Sequence, residues 1–147
     1  MKEDELFTYS DAWIFLSLSE ILYNGSFDYE QLIMIADCFE HAIPNYNEVK
    51  SAIEKILRYS LMYYKKNELC LSDKGIEIFS KYNKTKGGQF SRVEIMYKKL
   101  NSTRKKFLEI TDTPEFPFIK EDKYLELCRN YSEKSTTSPQ SDEVCCS

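Results

Sequence analysis

The chain has 147 residues, of which 42% are hydrophobic and 14% aromatic, and its formal net charge is −4. This size and composition support one globular domain with extensions, leave little room for two full domains and exclude a wholly disordered chain. No apolar run approaches the roughly 20 residues that a membrane span requires, and residues 1–5 are acidic overall where a signal peptide would be basic. We therefore expect a cytoplasmic protein that makes no membrane contact.

Charge is distributed unevenly along the chain. Residues 1–44 carry a net charge of −8 and residues 107–147 carry −5, whereas residues 45–82 carry +2 and residues 83–106 carry +7. A polyanionic partner would therefore meet the middle of the chain rather than its ends.

Apolar periodicity predicts two helices in the first 40 residues. The first spans about Asp11–Tyr23 with Ser10 as its N-cap, and it is apolar around so much of its circumference that we expect it to be largely buried. Asp28 followed by Gln31 has the form of a capping box, so a second helix is predicted from there to about Glu40.

A third helix is predicted over Asn45–Tyr59, after a short turn at His41–Pro44. Asn45 and Glu48 form another capping-box pattern. The apolar stripe of this helix comprises Val49, Ala52, Ile53, Ile56 and Leu57. The short connection between the second and third helices is compatible with helix-turn-helix geometry.

A small β-hairpin and a fourth helix follow directly. Residues 63–71 hold two β-prone runs around a polar tip. Ser72 then offers an N-cap, with Asp73 in the first turn of a helix that carries Tyr82 on its apolar side. The predicted order is thus three helices, a hairpin and a helix, with almost no connecting chain around the hairpin.

A long fifth helix is predicted over residues 89–108, after Gly87-Gly88. Its apolar stripe comprises Phe90, Val93, Tyr97, Leu100 and Phe107, and its other face is basic. Leaving this stripe in water would forfeit roughly 1.5–3 kcal/mol for each large side chain, so something must cover it. A second copy of the chain, in a homodimer, is one solution, and folding back across the first helix is the other.

Residues 109–147 are predicted to form an acidic, partly disordered extension. Tyr124, Leu127, Cys128 and Tyr131 fall on one side of a short helix within it. From Glu133 onward the sequence has almost nothing to bury, so we expect disorder there.

No cofactor, metal or catalytic site is predicted. The single histidine, His41, has Cys38 three residues before it, but a zinc site needs at least three protein ligands. The chain also lacks a glycine-rich phosphate loop and a nucleophile elbow. We therefore expect a non-enzymatic protein in which His41 caps a helix or packs in a turn.

The order of elements over residues 8–83 resembles the winged helix-turn-helix domain. The Leu-Ser-Asp-Lys-Gly sequence of residues 71–75 looks like the junction that ends the wing in many bacterial members. The resemblance implies a mainly α fold with a small β-hairpin, to which the helix at residues 89–108 is added towards the C-terminus.

The resemblance also implies that the third helix enters the major groove of duplex DNA and that the hairpin tip contacts the phosphate backbone. The candidate DNA-binding residues are Asn45, Tyr46, Asn47, Lys50, Ser51, Lys55 and Arg58 in the helix, and Lys65, Lys66 and Asn67 at the tip. Asn47 can pair with adenine, and Arg58 can contact guanine or a phosphate. The expected function is DNA binding and transcription regulation.

Glu54 favours a second interpretation, because it lies on the same predicted face as Asn47 and Arg58. It can accept a hydrogen bond from cytosine, but an acidic residue there also indicates that no phosphate lies near. The alternative is a non-catalytic protein interaction module that uses the winged-helix scaffold without nucleic acid.

Overall fold

The computed structural model describes residues 6–85, 91–102 and 115–137. These residues form a mainly helical fold with one two-stranded antiparallel hairpin. In chain order, the elements are α1 (Tyr9–Asn24), α2 (Tyr29–Glu40), α3 (Tyr46–Arg58), β1 (Met62–Lys65), β2 (Glu68–Leu71), α4 (Asp73–Thr85), α5 (Arg92–Ser102) and α6 (Glu121–Thr137). Within these ranges, none of the helices combines the length and the apolar character that crossing a membrane requires.

Helix α1 lies at the centre of the fold, where α2, α3 and α5 all pack against it. Residues 11–19 are all buried, which confirms the prediction of a buried first helix. The N-cap is Thr8 rather than the predicted Ser10: Thr8 Oγ1 accepts from Asp11 N at 3.0 Å, and Asp11 Oδ2 accepts from Thr8 N at 2.9 Å. The Ser10 hydroxyl instead donates to Glu48 of α3 at 2.9 Å.

Helix α2 ends at His41, whose φ of 56° and ψ of 40° place it in the left-handed region. The backbone N–H of His41 donates to the Asp37 carbonyl, so the histidine is the C-cap and its predicted capping role is confirmed. At the other end of α2, Asp28 is the N-cap, but its side chain accepts no capping hydrogen bond. The capping box predicted for Asp28 with Gln31 is therefore wrong.

Helix α3 begins with the capping box that the sequence predicts. Asn45 Oδ1 accepts from Glu48 N at 2.8 Å, and Glu48 Oε1 accepts from Asn45 N at 2.9 Å. The predicted apolar stripe is buried, namely Val49, Ala52, Ile53, Ile56 and Leu57. The start of α3 and its core-facing side are thus both fixed by local sequence.

The hairpin pairs β1 with β2 in a register that places Lys65 opposite Glu68. The two residues between the strands, Lys66 and Asn67, have φ values of 53° and 64°. Positive φ at both positions is the conformation of a two-residue type I′ turn, whose twist matches that of the strands. Leu69 is buried on the inner face of the hairpin, while the tip is exposed.

The junction between the hairpin and α4 depends on a close approach of two backbone segments. Ser72 Oγ donates to Leu61 O at 2.9 Å and accepts from Gly75 N at 3.0 Å, which confirms its predicted role as N-cap of α4. A Cβ atom added to Gly75 would lie 2.2 Å from Leu61 O. Only glycine therefore fits at this position without a backbone shift.

Helix α5 folds back across α1. Val93, Met96 and Leu100 are fully buried, and Tyr97 is half-buried with its ring centroid 5.9 Å from that of Tyr9. Val93 and Leu100 are thus covered by the chain itself and present no surface to a second copy. This corrects their predicted role in a homodimer, because α1 takes the place that the second copy was expected to fill.

Phe90 and Phe107, the two ends of the predicted dimer stripe, lie outside the described residues. Among the described residues, Asn101 links the end of α5 to residues 6 and 7. Its Oδ1 accepts from Leu6 N at 2.9 Å and from Phe7 N at 3.0 Å. These hydrogen bonds tie α5 to the segment that precedes α1.

The segment from Phe116 to Tyr131 packs against the core. Phe116 and Tyr124 are buried, and α6 lies against α2. The prediction of disorder is wrong for residues 133–137, because they continue α6. The remaining parts of the 109–147 extension lie outside the described residues.

Candidate nucleic-acid interface

One face of α3 stays exposed along its whole length. Asn47, Ser51, Glu54 and Arg58 share this face because residues three and four apart lie on one side of a helix, and all four are exposed. We call these four residues the exposed ridge. Asn45, at the start of α3, is also exposed, although its side-chain oxygen is occupied by the capping box.

On the flank of α3 that faces α1, the side chain of Lys55 makes contacts that stabilise the fold. Lys55 Nζ lies 2.7 Å from Asp11 Oδ2 and donates to the Leu6 carbonyl at 2.9 Å. The Asp11 side chain is only 5% exposed, so this ion pair is largely withdrawn from water. The ammonium group of Lys55 neutralises a buried carboxylate, which leaves Lys55 poorly placed for the DNA contact predicted for it.

The opposite flank of α3 is covered by the Phe116–Ile119 segment. The hydroxyl of Tyr46 donates to the Ile119 carbonyl at 2.7 Å, and Lys50 Nζ lies 5.6 Å from the centroid of the Phe118 ring. Tyr46 and Lys50 are consequently half-buried. The first is held in an intramolecular hydrogen bond and the second in a cation–π contact, so both are poorly placed to reach DNA.

The hairpin tip, formed by Lys65, Lys66 and Asn67, is exposed at all three positions. Within the described part of the chain, Lys65 and Lys66 make no ion pair, although Lys65 stands opposite Glu68 across the strands. The lysines of the tip are thus presented to solvent on a turn that projects from the fold.

Charge on this surface is mixed. The exposed ridge and the hairpin tip together hold three cations, Arg58, Lys65 and Lys66, and one anion, Glu54. The basic face of α5 adds less than its sequence suggests, because Lys98 Nζ lies 3.7 Å from Glu94 Oε2. The ridge and tip therefore provide a modest positive potential.

Sequence reasoning missed the residues that position α3 from the C-terminal side. Tyr124 is fully buried, and its hydroxyl donates to the Pro44 carbonyl at 2.7 Å. Tyr29 Oη accepts from Ile119 N at 3.3 Å. Burial raises the pKa values of both the Tyr29 and the Tyr124 hydroxyls. The apolar run Phe116–Ile119 was the available signal that this segment has something to cover.

The described residues contain no group of three or more His, Cys, Asp or Glu side chains arranged to hold a metal ion. His41 is exposed at the α2 C-cap, and Cys70 and Cys128 are free thiols. Comparisons with protein-family models, curated proteins and solved structures return no match.

Proposed function

We propose that this chain is a winged helix-turn-helix protein that binds duplex DNA and regulates transcription, with α3 as its recognition helix and the hairpin as its wing. The observation that carries the proposal is exposure: seven of the ten candidate residues are exposed, namely three of the four residues of the exposed ridge, the N-cap of α3 and the three residues of the hairpin tip. The other three, Tyr46, Lys50 and Lys55, hold α3 in place on its two flanks.

The proposed DNA contacts are of two kinds: contacts to phosphates, which position the protein on the duplex, and contacts to base edges, which determine sequence preference. Lys65, Lys66 and Arg58 contact phosphates, which supplies affinity without sequence information. Asn47 presents an amide that pairs with adenine N6 and N7. Glu54 then fits only beside the N4 amino group of cytosine, so its position predicts a base preference.

The number of cations sets the expected strength of binding. With three phosphate contacts, from Arg58, Lys65 and Lys66, the slope of log K against log salt is about −2.7 at ~0.9 per contact. Affinity should then fall about 40-fold between roughly 50 and 200 mM salt. Fluorescence anisotropy with mixed-sequence duplexes measures this slope, and a lack of binding at the lowest salt would reject the proposal.

A non-catalytic protein interaction module is the second candidate, and Glu54 is the observation that favours it. A carboxylate in the middle of the exposed ridge repels phosphates. The variant Glu54→Gln separates the two candidates. If α3 faces DNA, removing this charge strengthens binding to mixed-sequence duplexes by about fivefold, since one unit charge at close range is worth ~1 kcal/mol in water. An interaction module without nucleic acid gives no such gain.

A further inference from the structure

A cavity of about 530 Å³ opens beside the hairpin, and Asn67 of the hairpin tip is one of the residues that line it. Its walls come from the end of α1, the loop after it, the two strands, the start of α4 and the Phe116-Pro117 turn. This volume lies within the range of roughly 300–1,000 Å³ that small-molecule sites occupy.

The lining of the cavity is aromatic and aliphatic, with one charge. Tyr23, Phe27, Tyr64 and Phe116 contribute rings, and Ile76 contributes an aliphatic side chain. Among the described residues that line the cavity, Glu68 alone is charged. Glu68 also makes no ion pair within the described part of the chain, so its carboxylate remains available to a ligand.

Two of these side chains are exposed although they are large and apolar. Tyr23 is 68% exposed and Ile76 is 44% exposed, and both border the same opening. Apolar side chains that converge at the mouth of a cavity mark a binding site more often than scattered ones do.

We propose that this cavity binds a small planar aromatic cation. The rings supply stacking surfaces and negative π-faces, which favour a cation over a neutral molecule. Glu68 supplies the matching negative charge, and the described lining residues include no Lys or Arg. The inference goes beyond the proposed function and does not depend on DNA binding.

The full chain can be tested with rhodamine 6G, a planar aromatic monocation, by fluorescence anisotropy. We expect saturable binding at one site. Ile76→Lys places a like charge at the mouth and should weaken binding by about tenfold or more. Leu125→Lys is the matched control, because Leu125 is 50% exposed on α6 and does not line the cavity. It should leave the affinity unchanged.

A second variant tests the charge of the ligand. Glu68→Gln should weaken rhodamine 6G binding by about fivefold and leave binding of the neutral dye N-phenyl-1-naphthylamine unchanged. Circular dichroism verifies that each variant remains folded. The proposal is overturned if the wild type shows no saturable binding, if Ile76→Lys and Leu125→Lys have equal effects, or if Glu68→Gln does not discriminate between the two dyes.

Discussion

The hydroxyl group of Tyr124 donates a 2.7 Å hydrogen bond to the backbone carbonyl of Pro44. The two residues are 80 positions apart in the chain, and Pro44 belongs to the turn that leads into α3. The Tyr124 ring also packs against Tyr46, with centroids 6.0 Å apart. Helix α6 thus fixes the turn before α3 and, through it, the direction in which the exposed ridge faces.

Removing this hydroxyl should destabilise the protein measurably. Tyr124→Phe leaves the Pro44 carbonyl buried without that partner, which costs about 1–3 kcal/mol of unfolding free energy. Tyr23→Phe is the matched control, since Tyr23 is 68% exposed, and it should change stability by less than about 0.5 kcal/mol. Urea denaturation followed by circular dichroism measures both. Equal stability of the two variants would show that α6 does not anchor the turn.

Gly75 should be far less tolerant of a methyl group than Gly25. The added Cβ of Gly75→Ala meets backbone atom Leu61 O at 2.2 Å, whereas that of Gly25→Ala meets its nearest atom, Ile21 O, at 3.9 Å. We expect Gly75→Ala to cost about 3 kcal/mol, the upper end for overpacking, because a backbone carbonyl cannot rotate away. Thermal melts of the two variants decide the matter, and similar melting temperatures would contradict the close approach.

Lys55 should act on stability, unlike the lysines of the hairpin tip. Lys55→Met leaves the Asp11 carboxylate without its charged partner and should cost about 1.5–3 kcal/mol. The same substitution at exposed Lys65 should cost less than about 0.5 kcal/mol. Denaturant titrations compare them directly. If Lys55→Met were as stable as Lys65→Met, the lysine would be free for another role and its exclusion from the interface would fail.

Stability should decline at alkaline pH because of the buried tyrosines. Burial and the adjacent Asp37 carboxylate raise the pKa of Tyr131 to about 12, from an ordinary value of 10.0. The unfolded chain loses this proton first, so the contribution is complete below pH 10 and is lost as the pH rises towards 12. Tyr131→Phe should show a smaller decline over this window. Unfolding free energies at several pH values test this, and an identical decline in both proteins would contradict it.

The parts of the fold that the sequence predicts well are those with local signals. The Asn45–Glu48 capping box and the Ser72–Gly75 junction each lie within one helical turn, so their chemistry could be read directly. The cap of α1 was also a local signal, because Thr8 and Asp11 form a reciprocal capping box three residues apart. The prediction chose Ser10 instead, whose hydroxyl donates to Glu48 in another helix, a contact that the local pattern does not show.

In the candidate site, too, the features that follow from local sequence were predicted, and those that depend on tertiary packing were not. Periodicity correctly grouped Asn47, Ser51, Glu54 and Arg58 on one face, because that follows from helix geometry alone. It could not show that Lys55 meets Asp11, or that Phe118 covers Lys50, since both contacts join segments far apart in the chain. The contacts that the flanking residues of a helix make depend on the elements packed beside it, and a single sequence does not show which elements those are.

The salt dependence of DNA binding by a double variant of the hairpin tip tests the central claim most directly. Replacing Lys65 and Lys66 with glutamine removes two of three expected phosphate contacts, so the slope of log K against log salt should change from about −2.7 to about −0.9. The matched control is the Lys81→Gln/Lys98→Gln variant, whose lysines lie on α4 and α5 beside Glu77 and Glu94. It removes the same charge and should keep the wild-type slope. Equal slopes for the two variants, or no DNA binding by the wild type at low salt, would contradict the proposed interface.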